Sequence, residues 1–194
     1  MIMTVVINFF GQPGAGKSTH AANLFAHMKR KGINCELVTE YAKRVTWGGT
    51  QNILQNQLYV FAKQHNTQFW LKDKVDFIIT DSPLLMSLHY GAAEGETFKK
   101  IVREKSGEFH NVNFFVKRTK AYNPLGRNQT EDESNTIGEQ MQSLLTRESV
   151  AYTIIDSDTP VESVMEKIIN PSYYHAYILP DSLDKLNDIG LVLR

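Results

Sequence analysis

Eight residues from Gly11 to Ser18 (GQPGAGKS) satisfy the spacing G-x-x-x-x-G-K-[ST], and Thr19 follows directly. The pattern has a mechanical reading. Gly11, Gly14 and Gly16 allow backbone angles that turn successive N–H groups toward one anion, and a helix opening at the same point adds its positive end. Lys17 would then reach the β- and γ-phosphates of a nucleoside triphosphate, the Ser18 hydroxyl would ligate Mg²⁺, and Thr19 would meet the α-phosphate. Gln12, Pro13 and Ala15 complete the loop around the phosphates. A glycine-rich turn that merely starts a helix needs neither the lysine nor the hydroxyl after it.

A triphosphate loop does not name a reaction. Phosphoryl transfer to an acceptor needs a base for the acceptor hydroxyl, an acid that organises Mg²⁺, cations for the transferring charge and a lid that excludes water. Each has a candidate. Glu40, in VTEYAKR, ends the second apolar run, at the edge where open α/β sheets bind ligands. It is the candidate base, and an exposed acid that starts a helix is the competing reading. Arg44, one turn on, would face the same cleft and hold substrate, with Trp47 beside it for stacking. Asp81, in FIITDSP, follows four strand-type residues and fits an Mg²⁺-binding acid, while a helix cap ahead of Pro83 also fits it.

The stretch KRTKAYNPLGRNQTEDES sets Lys117, Arg118, Lys120 and Arg127 around an Asn-Pro-Leu-Gly turn before an acidic helix start. This is the make-up of a basic lid over about 118–135, with Arg118 and Arg127 as the donor-side and transition-state arginines. Lys117 and Lys120 read as solvated charges. Asp156 to Thr159 would border the adenine, with Asp158 chiefly capping the next helix.

These residues must be held at one edge of a sheet, and the apolar pattern supplies one. Runs at 4–10, 34–39, 76–80, 112–116 and 151–155 are β-branched or aromatic with little alternation, as in parallel strands buried on both faces. Helical patterns separate them. They cover Ser18 to Lys31 closed by Gly32, about Gln51 to Leu71 with Leu54, Leu58 and Phe61 facing the sheet, 131–147, and 160–169. The expectation is an α/β fold, a five-stranded parallel sheet flanked by helices. Residues 171–194 are tyrosine-rich and read as an appendage on a 1–170 core, with Tyr173, Tyr174 and Tyr177 as a partner or homodimer surface.

The chain has 194 residues, 42 % of them hydrophobic, and its 21 basic residues balance 21 acidic ones. That suits one domain with a sizeable core and gives no net field to attract nucleic acid or an anionic membrane nonspecifically. Cys35 is the single cysteine, which fits a reducing, cytoplasmic compartment and a buried small apolar role. MIMTVVINFF reads as a strand rather than a signal or a membrane span. The lack of an N/T-K-x-D guanine motif argues against a regulatory GTPase, and the length argues against a ring-forming motor with further modules.

Together GQPGAGKST, TEYAKR, TDSP and YNPLGRNQTEDES resemble the phage and bacterial AAA-type P-loop kinases related to the nicotinamide-riboside kinase domain. More distantly, they resemble the deoxynucleoside and thymidylate kinases, over about residues 4–169. The resemblance implies a P-loop NTPase of the nucleoside-monophosphate-kinase type with a basic lid, and ATP with Mg²⁺ as donor. It sets Glu40 and Asp81 at the acceptor and metal positions and Arg118 and Arg127 in the lid. At the third strand Asp81-Ser82-Pro83 lacks the arginine of the D-R-S pattern, and Arg44 is the substitute. The acceptor it implies is a nucleoside or nucleotide. One branch acts on 5-hydroxymethyluracil within phage DNA in the host cytoplasm; the others take nicotinamide riboside or deoxynucleosides as free molecules. Action on DNA would draw on Trp47, Gly48, Gly49 and the run FKKIVREK (98–105). A P-loop ATPase serving as a regulatory or binding module is the reading from another class.

Overall fold

The structure, a computed structural model, describes residues 4–125 and 129–169. Arg127 and the 171–194 appendage, with Tyr173, Tyr174 and Tyr177, lie outside the described residues. The five apolar runs form five strands: β1 (Val5–Phe10), β2 (Cys35–Val38), β3 (Phe77–Thr80), β4 (His110–Lys117) and β5 (Thr153–Asp156). All pairings are parallel, in the order β2-β3-β1-β4-β5, with Val5 opposite Phe77 on one side and His110 on the other. The chain leaves β1 toward one edge and later returns to the opposite side of it. The carboxyl end of β1 is therefore the switch point where such sheets bind ligands, and the glycine loop sits there.

Alternate strand residues feed two cores. Val5, Ile7 and Phe9 pack with α1 (Lys17–Arg30) and α7 (Val161–Ile169), which contribute Leu24, Met28, Val164, Met165 and Ile168. Val6 and Phe10 face the other way, onto α3 (Gln57–Phe69), α4 (Ser87–Tyr90), α5 (Gly95–Gly107) and α6 (Glu131–Arg147). Asn8 interrupts this apolar face. Its amide donates to Asn111 Oδ1 at 2.8 Å and Asn113 Oδ1 at 3.0 Å, which keeps a buried polar side chain satisfied. Cys35 is buried, and burial pushes its thiol up to about 11, as expected of an inert core cysteine.

Three expectations need correction. The segment 51–71 is a 3₁₀ turn (Gln51–Gln55) followed by α3, because Asn56 breaks it and caps α3 by accepting from the Tyr59 N–H. Leu58 is 50 % exposed; the buried face of α3 is Val60, Phe61, Gln64 and Gln68. The run 98–105 lies within α5, where Phe98 and Val102 are core. Its cations are paired on the surface: Lys99 with Glu96, Lys100 with Glu104, Arg103 with Glu148 and Lys105 with Glu108. It does not line the cleft described below and offers no unpaired basic track. Asp158 precedes the N-cap position of α7 by two residues and accepts instead from the Thr119 hydroxyl. No helix among the described residues is long and apolar enough to cross a membrane.

Candidate functional site

The glycine loop adopts the backbone its composition allows. Gly11, Gly14 and Gly16 have φ of 138°, 80° and 102°, and Gly16 is the left-handed N-cap of α1. At Gly11 a Cβ would stand 2.6 Å from the Val116 carbonyl oxygen, so the loop also needs glycine there to pass β4. Lys17 folds its ammonium back over the loop, donating to Gly11 O at 2.9 Å and Gln12 O at 3.1 Å. Behind the loop, α6 braces it: the Ser134 hydroxyl donates to Pro13 O at 2.7 Å, and the Gln12 side chain lies against Gly138.

Because β3 is the direct neighbour of β1, Asp81 arrives one strand away from the loop. It is buried, and its two oxygens do different things. Oδ2 accepts from the Ser18 hydroxyl, and Oδ1 accepts from the Glu40 N–H at 3.1 Å. The helix-cap alternative for Asp81 is not what the structure has, since the 3₁₀ turn that follows begins after Pro83. A hydroxyl and a carboxylate side by side are the hard oxygen donors that Mg²⁺ takes, with phosphates and water completing its shell. Among the described residues no cluster of three His, Cys, Asp or Glu side chains could hold a metal alone.

Glu40 is the N-cap residue of α2 (Tyr41–Trp47), with extended backbone at φ −62° and ψ 119°, yet its side chain makes no cap bond. The half-buried side chain lines the cleft instead. Burial raises its carboxyl above the usual range, Lys17 and Lys43 pull it down, and Asp81 adds to the rise. Its position is pinned twice: its own N–H goes to Asp81, and the next N–H, of Tyr41, donates to Gln64 Oε1 at 3.0 Å.

The loop and Glu40 open on one cleft of about 480 Å³, within the range of small-molecule sites, and Ser82 and Pro83, just after buried Asp81, form part of its wall. At the donor end it is walled by the loop and Lys120. The Lys120 Nζ stands 3.6 Å from where a Cβ on Gly16 would be, beside Ser157. Beyond Glu40 the walls turn apolar and aromatic, with Trp47, Leu54, Val60, Met86 and Tyr90, interrupted by Gln57 and Gln64. Trp47 is 71 % exposed at this mouth. Tyr90 is 41 % exposed as a whole, so the crowding is at its hydroxyl, which burial and the Glu40 charge shift above the ordinary phenol range.

Among the sequence candidates Gly11, Gln12, Ala15 and Asp81 do not themselves line the cleft, and neither do Arg44 and Arg118. Arg44 is exposed on α2, and Lys43, Thr46 and Trp47 line the cleft in its place. The i, i+4 count from Glu40 fails because Glu40 precedes the helix and does not share its angles. Arg118 packs onto α6, donating to Glu131 Oε1 at 2.9 Å, Asn135 Oδ1 at 2.7 Å and Ser134 Oγ at 3.3 Å, over the Tyr122 ring. It braces the helix that braces the loop. Lys120, which spacing alone reads as a solvated charge, lines the cleft beside Gly16 of the loop. Gln64 and Tyr90 carry no motif in the sequence.

No curated protein matches the chain. The model of a family described as an AAA domain, AAA_28, matches residues 6–163, a span that opens within β1 and closes within α7. That covers well over half of the sequence and every element that builds the cleft, so the chain belongs to this AAA domain family, a group of the P-loop NTPase type.

Proposed function

We propose that the protein is an ATP-dependent kinase that transfers the γ-phosphoryl group to a hydroxyl of a nucleoside-type acceptor. One observation carries the reading: the triphosphate loop and Glu40 open on the same small cleft, which continues past Glu40 into an aromatic and apolar pocket. A nucleotide-hydrolysing switch would use a carboxylate to activate water, but it has no use for an aromatic and apolar pocket that continues past that carboxylate.

In this reading the phosphates take the ammonium of Lys17 from the Gly11 and Gln12 carbonyls that now hold it. Ser18 and Asp81 would hold Mg²⁺, which when bound neutralises charge on the phosphate oxygens. Lys120 adds a second cation from the opposite wall. Glu40 accepts the proton of the acceptor hydroxyl as its oxygen bonds to the γ-phosphorus. The bond to the β–γ bridging oxygen breaks and ADP leaves. Burial serves this step, since a carboxylate with a raised pKa is a stronger base.

The cleft volume, the zero net charge and the paired cations of α5 support a free small acceptor over a base within DNA. Exposed Trp47 at the mouth favours a strand-borne base. Incubation with ATP, Mg²⁺ and a panel of ribonucleosides, deoxynucleosides, nicotinamide riboside and 5-hydroxymethyluracil DNA, read by mass spectrometry, tests the proposal. A phosphorylated small acceptor is expected. Slow ATP hydrolysis that no acceptor stimulates would replace the kinase reading with a regulatory ATPase.

A further inference from the structure

Within the glycine loop, Gln12 to Ala15 form a tight turn. The Ala15 N–H donates to Gln12 O at 3.2 Å, Pro13 and Gly14 take the central positions, and Gly14 has φ 80°. Proline followed by a positive-φ glycine makes a type II turn, which differs from type I by a flip of the peptide between the central residues. That peptide is planar and trans, so its C=O and N–H point opposite ways. Pro13 O is turned onto α6, where it accepts from the Ser134 hydroxyl at 2.7 Å. The Gly14 N–H therefore points away from α6. Gly14 lines the cleft, and no described residue accepts from its N–H.

A serine inside a helix ordinarily turns its hydroxyl to the carbonyl four residues back. Ser134, fully buried, turns to the loop instead. It also accepts from Arg118 Nη1 at 3.3 Å, which occupies a lone pair and strengthens the hydroxyl as a donor to Pro13. Arg118 is itself fixed: its side chain is 6 % exposed, held by Glu131, Asn135 and the Tyr122 ring. We propose that Arg118 and Ser134 are positioning residues for the phosphoryl donor, locking the Pro13–Gly14 peptide so that the Gly14 N–H faces the triphosphate. In the flipped turn Pro13 O would face the phosphates, oxygen against oxygen. Arg118 thus acts on the nucleotide through Ser134 and the loop, without touching it. The proposal rests on triphosphate binding at the loop, which the kinase reading shares with a hydrolysing ATPase.

The test is calorimetric binding of ATP and of inorganic tripolyphosphate to the full chain, with the Gly14 amide proton followed by NMR. In wild type either ligand shifts that proton downfield, as a charge-assisted hydrogen bond does. Ser134→Ala weakens both ligands about tenfold, the lower end for a hydrogen bond to a charged group, and reduces the shift. Arg118→Met weakens both about three- to tenfold, the range for a residue acting through a packed network. The double variant binds no more weakly than Ser134→Ala alone, since Arg118 acts through the hydroxyl. Should Arg118→Met fail to fold, Arg118→Lys, which keeps the charge and loses the planar fork, replaces it in the cycle. An Arg118 substitution that weakens ATP as much beside Ser134→Ala as in wild type puts the guanidinium on the phosphates and overturns the proposal. So does Ser134→Ala with lower urea stability but unchanged affinity and an unchanged Gly14 shift, because the hydroxyl then only packs α6. Both results leave the kinase reading intact. A wild type that binds neither ligand overturns both.

Discussion

Gly138 is where the brace of the loop can be tested without touching any atom of the chemistry. It lies in the middle of α6, and a Cβ there would come 2.8 Å from Gln12 Oε1, 3.1 Å from its Cδ and 3.3 Å from its Cβ. Two effects oppose each other in Gly138→Ala. Helix propensity favours alanine by about 1 kcal/mol. Overpacking costs about 1–3 kcal/mol, because the obstruction reaches down to the Gln12 Cβ and rotation of the amide end alone does not clear it. The net expectation is a stability loss of about 0–2 kcal/mol by urea denaturation. The larger consequence is at the loop. Gln12 is pushed off α6, and ATP affinity falls by about three- to tenfold, below the roughly hundredfold cost of a 1 Å misplacement. Gln12→Ala in the same chain clears the obstruction. The double variant should recover ATP affinity to the level of Gln12→Ala alone and be more stable than it by about 1 kcal/mol. If Gly138→Ala is instead more stable than wild type by about 1 kcal/mol with unchanged ATP affinity, Gln12 does not rest on α6 and the bracing argument fails.

Two further outcomes follow from charges at the cleft. Glu40 titrates higher in the folded chain than in the unfolded one, so between those two values the folded state holds the extra proton and stability falls as pH rises. Glu40→Gln should therefore be more stable than wild type above the raised pKa, with the advantage shrinking as pH is lowered through it; an advantage that grows on acidification contradicts it. Lys120→Ala should raise the KM for ATP about tenfold, the lower end for a charge-assisted hydrogen bond because Lys120 is exposed, with Lys120→Arg retaining most of the affinity and high salt narrowing the gap. No change in KM would return Lys120 to the role of a solvated charge.

The parts that were legible in the sequence are those whose chemistry is local. Gly11 to Ser18 declare themselves because one short loop must supply backbone freedom, a cation and a hydroxyl together, and the five buried strands announce themselves by unbroken apolar runs. Asp81 and Glu40 follow as residues just past strand ends. What escaped depends on contacts between distant segments. A helical count to Arg44 starts from a residue that lies outside the helix, and one to Leu58 starts from Leu54, which belongs to a separate turn. Lys120 reaches the loop only because β4 ends beside it, and Tyr90 reaches the cleft from α4, which packs on α3, α5 and α6. α5 was hidden by its charges, whose partners in three of four pairs are acids of the same helix or the residue just past it. Asn8 reads as a flaw in a strand until Asn111 and Asn113 appear across the sheet.

In the proposed function one cleft brings a phosphoryl donor to an acceptor hydroxyl with Glu40 as base. Single-turnover transfer from ATP to the best acceptor of the panel, by wild type and Glu40→Gln, tests it most directly. The transfer rate should fall about 10²- to 10⁴-fold in the variant, the range for loss of a general base, with ATP affinity within about twofold of wild type. Transfer at the wild-type rate by Glu40→Gln would contradict it.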